Sequence, residues 1–156
     1  SLEFATSVLM VLMVSGAFGR IFGGILGDRI GALPGYILMS LGQTIFVIWF
    51  PDLISPMIIY LMAALFGFTY SGVMSSILVC TRMMVPANYG ARAMSLTSFF
   101  GWIGMGLGGF LGGYFFDIYG NYNLAFTFAG LSGVINLIIL SFFFLYIRRA
   151  EKLVFN

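Results

Sequence analysis

The sequence predicts an all-α membrane protein with five transmembrane helices. Three observations carry that reading. First, 61% of the 156 residues are hydrophobic and only 8% are charged, against about 25% charged in soluble domains. So little charge cannot cover a water-facing surface. Second, mean hydropathy is +1.07. Third, five apolar stretches alternate with short polar breaks, each near the ~20 residues needed to cross a ~30 Å hydrocarbon core. Backbone groups in lipid must be satisfied internally, so such runs are helices. The alternating ~10-residue segments of a barrel are absent.

The spans are expected at about residues 4–26, 33–50, 57–80, 93–116 and 124–147, and 1–156 reads as one partial transmembrane domain. Gly and Pro punctuate all four breaks. These read Asp28-Arg29-Ile30-Gly31, then Pro51-Asp52 ahead of Ser55-Pro56, then Val85-Pro86-Ala87-Asn88-Tyr89-Gly90, then Asp117-Ile118-Tyr119-Gly120-Asn121. Ser55-Pro56 has the form of a helix N-cap with proline at the first helical position. The chain opens at Ser1 with its first span almost at once and shows no signal-peptide pattern. It is therefore expected to be a piece of a longer polypeptide, with the missing N-terminal helices and the lipid bilayer as its partners.

Basic residues set the orientation. Arg29 lies in the first break, Arg82 and Arg92 flank the third, and Arg148, Arg149 and Lys152 follow the last span. The second and fourth breaks hold Asp52 and Asp117 and no Lys or Arg. The positive-inside rule then puts the odd breaks and the C-terminus in the cytoplasm and the N-terminus outside; the plasma (inner) membrane is the expected location. Tyr119 and Tyr122 fit an aromatic belt at the outer edge.

The first span carries the strongest candidate. Gly16, Gly19, Arg20, Gly23 and Gly27 share one helical stripe. Glycine stripes let membrane helices approach closely, so Arg20 is expected on a protein-facing side. It lies about 12 Å from Asp28 along the axis, near the midplane. An arginine there costs at least about 2.5–3.5 kcal/mol unless solvated or paired, and no Asp or Glu lies inside any span. Arg20 is therefore read as lining a watery path and binding an anion; the competing reading is a structural arginine that pairs or snorkels.

Further along, Tyr70 and Ser71, with Gly72, Ser75 and Ser76, are placed to bond a polar substrate or to join helices. Gln43 and Asn136 read as interhelical glue. Trp102 opens a glycine-dense fourth span, where Gly101, Gly104, Gly108 and Gly112 form one face and Gly106, Gly109 and Gly113 another. Two such faces predict a helix wedged between neighbours. The substrate set is accordingly Arg20, Tyr70, Ser71 and Trp102, and the packing set is Gly16, Gly19, Gly23, Gly27, Gly104, Gly108 and Gly112. The first, third and fourth spans are expected to line the cavity, with the second and fifth peripheral.

Chemistry of other kinds is poorly supplied. There is no His and a single Cys, Cys80, so an intramolecular disulfide, a Cys-rich metal framework and the commonest general base and metal ligand are all absent. No enzyme activity, metal, cofactor or nucleic-acid partner is expected.

Gly24-Ile25-Leu26-Gly27-Asp28-Arg29-Ile30-Gly31 resembles the signature of the major facilitator superfamily, a cytoplasmic G-x-L-x-D-R-x-G between two helices. Ala32 and Leu33 stand where basic residues usually follow, as in the weaker copy of the second half. The run from Leu111 to Tyr122 looks like the junction of the family's last two helices, and Arg148 to Lys152 like its basic tail. The five spans would then match helices eight to twelve; the rival assignment is helices two to six. The resemblance implies a secondary transporter with a gating motif of Gly24, Asp28, Arg29 and Gly31, with Arg82 or Arg92 as local partner of Asp28. Gly19-Arg20 is similar to the oxalate/formate and monocarboxylate-type branches, in which an arginine of the eighth helix contacts a carboxylate. Gly16 stands where monocarboxylate carriers place an acid, and the fourth span lacks the lysine of oxalate carriers. The implied function is transport of a small solute, an organic anion in this reading, by alternating access. The alternative is a non-transporting assembly or sensor subunit with the same fold.

Overall fold

The computed structural model describes residues 2–50 and 55–154, with side chains as far as Arg149. The expected break at Pro51-Asp52 and the side chains of Glu151 and Lys152 lie outside the described residues. Five long helices follow one another: α1 (Leu2–Ile30), α2 (Ala32–Trp49), α3 (Pro56–Met83), α4 (Gly90–Tyr119) and α5 (Asn123–Val154), with a 3-10 turn, Ala87–Tyr89, before α4. All five are long and apolar enough to cross a membrane.

Four of the helices run past the expected ends. Apolar windows mark the hydrocarbon layer, whereas a helix continues until its backbone is broken. α1 carries Asp28, Arg29 and Ile30 in its last turn and stops only at Gly31, whose φ of 99° few side chains tolerate. α4 likewise includes Asp117 and Tyr119 and stops at Gly120, with φ of 68°. The first and fourth breaks are thus much shorter than their polar residues implied. α2 is the exception: its 18 residues barely span a ~30 Å core. Ser55 does precede Pro56 at the start of α3, but its side chain makes no capping bond.

Contact registers fix the topology. Ser7 Oγ and Tyr60 OH share a 2.5 Å hydrogen bond, Gly16 faces Gly67 and Ser71, and Gly23 faces Gly72 and Ser75. Those numbers rise together, so α1 and α3 run parallel. α2 is antiparallel to α3, with Gly42 at Thr69 and Met39 at Gly72. α2 is also antiparallel to α5, where Ile48 meets Gly130, Thr44 meets Gly133, and Asn136 Nδ2 donates to Ser40 Oγ at 2.9 Å. α4 opposes α3 through Thr81 with Thr97 at 3.3 Å, and opposes α5 where the Phe115 ring lies 6.5 Å from that of Phe128. The chain therefore crosses up and down five times. α2, α3, α4 and α5 make a ring, and α1 lies on the outer side of α3.

The α1–α3 seam is the closest approach. A methyl group at Gly19 would overlap the Phe68 carbonyl, and one at Gly67 the Leu12 carbonyl. Such backbone contact is what small residues supply in lipid, where no hydrophobic force drives helices together. The buried cluster sits between α2, α3 and α5, built on Leu33, Tyr36, Met39, Val73, Cys80 and Leu140.

α4 departs from expectation. Nothing lies within 4 Å of a Cβ built on Gly101, Gly104, Gly106, Gly108, Gly109, Gly112 or Gly113. The two close-packed faces are not formed among the described residues. α4 instead meets α3 and α5 through side chains on its flanks, Thr97 and Met105 on one side and Phe115 on the other.

Candidate functional site

α1, α3 and α4 enclose a cleft of about 450 Å³ that holds Arg20, Tyr70 and Trp102 together. Each helix contributes for a local reason. Gly16, Gly19 and Gly23 seat α1 on α3, and Arg20 projects from the flank of that stripe. Ser75 Oγ donates to the Arg20 carbonyl at 3.3 Å, which ties the backbone beside the guanidinium to α3. Tyr70 stacks on Phe66 at 5.7 Å, and its hydroxyl points across to Met105 Sδ at 3.8 Å. Trp102 stands at the rim, 73% exposed.

The electrostatics are one-sided. Arg20 is the only charged residue lining the cleft, and it makes no ion pair among the described residues. A guanidinium carries a fixed fork of donors suited to a carboxylate. It lacks, among the described residues, the counter-charge that would make it a structural pair.

Ser71 departs from the expected set. It lies under Gly16, which has no side chain to hold α1 off, and it does not line the cleft. Ser75, Thr97, Ser98 and Met105 do line it. The α4 members form a stripe legible in the sequence, since 97, 98, 101, 102 and 105 recur at helical spacing.

The motif residues lie at one corner. A Cβ on Gly35 would sit 3.2 Å from the Gly27 Cα, so α1 and α2 meet nearly backbone to backbone around Gly31. Gly24 has open space around it. Asp28 and Arg29 are exposed. Neither Arg82 nor Arg92 pairs with Asp28 among the described residues. The Arg82 side chain instead lies across Gly90 at the head of α4, where an added Cβ would be 2.8 Å from its Cδ and Nε.

A second, larger cavity of about 660 Å³ lies inside the ring of α2, α3, α4 and α5. The second and fifth spans, expected to be peripheral, are therefore cavity walls. Gly104, Gly108 and Gly112, expected to pack, line this space.

The sequence model of the Major Facilitator Superfamily matches residues 1–156. No curated protein and no solved structure gives a match.

Proposed function

The chain belongs to the Major Facilitator Superfamily, a family of secondary transporters, and from that premise we propose that it carries a small organic anion by alternating access. The observation that carries the anion is Arg20: a mid-membrane guanidinium that faces an open cleft and has no acid to pair with among the described residues. Placing such a group in a membrane is costly, and a charged substrate recovers part of that cost each time it binds. Tyr70 and Ser75 offer hydroxyls beside it, and Trp102 offers an aromatic wall at the rim. The resemblance to the oxalate/formate and monocarboxylate-type branches points to the same carboxylate chemistry. With no acid in the cleft wall, any proton coupling runs through other helices or through the anion itself.

In this reading the Asp28 corner gates the cytoplasmic side. Its carboxylate is exposed and locally unpaired, which leaves it free for a basic group or helix N-terminus of the opposite half. The arginine-rich end faces the cytoplasm and the other end faces out, in the plasma membrane.

The test is uptake of labelled formate, oxalate and lactate by cells expressing the protein at its natural full length. Arg20→Ala is expected to abolish uptake while membrane abundance and melting temperature hold. Uptake at the wild-type rate in that variant would remove Arg20 from the substrate path.

A further inference from the structure

The wall around Arg20 bears on which kind of anion it suits. Beyond the guanidinium, the cleft is lined by Met74, Ile77, Leu78, Trp102 and Met105. Three of its hydroxyls are already engaged: Tyr70 points to the Met105 sulfur, Ser75 to the Arg20 carbonyl and Thr97 to Thr81. Helix registers set the levels. Tyr70 opposite Met105 and Thr81 opposite Thr97 place Trp102 at the level of Met74 and Ser75. Ser75 is the residue that bonds the Arg20 backbone. The charged helix segment and the apolar surface therefore meet at one level of the cleft. Trp102 is largely exposed there, so its ring is not used up by packing within the chain.

We propose that the Arg20 cleft selects a monocarboxylate carried on an aromatic body, in preference to formate, oxalate or lactate. The proposal rests on the anion reading above and narrows it. One guanidinium matches one carboxylate. A second carboxylate would lose its water with no cation in this wall to meet it. A hydroxyl-rich body would compete for side chains that already have partners. An acid of one or two carbons fills little of a cleft of about 450 Å³ and leaves its apolar wall wet. An aryl ring on a short chain covers Trp102 and Met74 instead. Ring–ring and sulfur–aromatic contacts then add to the apolar area it buries.

Calorimetric titration of the natural full-length protein in lipid nanodiscs tests it, with phenylpropionate, lactate, oxalate and formate as separate probes. Phenylpropionate is expected to bind saturably and about tenfold or more tighter than each of the others, the least that burying an aromatic ring yields. Trp102→Ala should cut that ratio to about threefold or less, and Trp102→Phe, which keeps an aromatic face, should restore most of it. Arg20→Ala should abolish saturable binding of all four acids. Lactate, oxalate or formate binding as tightly as phenylpropionate overturns the proposal and leaves the anion reading standing. So does a ratio that Trp102→Ala leaves intact. If Trp102→Ala does not fold, the wild-type ratio decides alone. Binding of none of the four acids, or binding that survives Arg20→Ala, removes the anion reading and the proposal with it.

Discussion

Gly19 and Gly24 stand five residues apart on one helix and have opposite physical roles. At Gly19 the partner is the Phe68 carbonyl, part of a backbone that cannot swing away; at Gly24 there is open space. Gly19→Ala is expected to destabilise the protein by about 1–3 kcal/mol, the usual cost of overpacking. Gly24→Ala should stay within about 0.5 kcal/mol of wild type, as surface changes do. Thermal unfolding in detergent compares the two directly; equal melting temperatures would mean the seam is looser than its geometry. Sequence spacing told the two apart, because Gly16, Gly19 and Gly23 share the stripe and Gly24 falls beside it. The same spacing was silent about α4, since a glycine face records only that approach is permitted. Whether a neighbour comes close depends on the large side chains around it, and those are set by tertiary packing. Ser71 escaped for a related reason: its burial is decided by Gly16, more than fifty positions away.

Helix existence was written in composition, and helix ends were written in backbone chemistry. The apolar windows located five spans, yet α1 and α4 run on to Gly31 and Gly120, the two positions with positive φ. At Gly31 the φ of 99° and the close Gly27–Gly35 approach make the α1–α2 corner tight. Gly31→Ala is expected to cost more than about 1 kcal/mol, because alanine does not accept that conformation without strain. Asp28→Asn, on the same corner, should slow the transport cycle and leave substrate affinity unchanged. A change in affinity alone would argue against a gate. Between α2 and α5, the Asn136–Ser40 bond is the polar tie. Asn136→Leu should lose about 0.6 kcal/mol, the mean for such bonds in membranes, measured as a lower unfolding midpoint. Asn136 was readable as glue from its isolation in an apolar helix. The space beside Gln43 was not, since a cavity is a property of four helices at once.

Across the whole molecule, the five alternating crossings gather Arg29, Arg82, Arg92, Arg148 and Arg149 at one end. That arrangement predicts sidedness that chemistry can read. In a Cys80→Ser background, Asn121→Cys should react with a membrane-impermeant thiol reagent added to intact cells, and Asn88→Cys should react only after the membrane is opened. The reverse pattern would invert the molecule and place the Asp28 corner outside.

The parallel α1–α3 seam also dictates an order of events during synthesis. α1 is made before α3, and the surface its glycines fit, around Gly67 and Phe68, emerges roughly fifty residues later. At about 5–20 residues per second the interval is about 3–10 s. For that time the α1 stripe lacks the α3 surface it fits. The protein-conducting channel, or a chaperone beside it, is expected to hold α1 until α3 arrives. A ribosome stalled between α2 and α3 should therefore leave α1 crosslinkable to that machinery, and one stalled beyond α3 should release it.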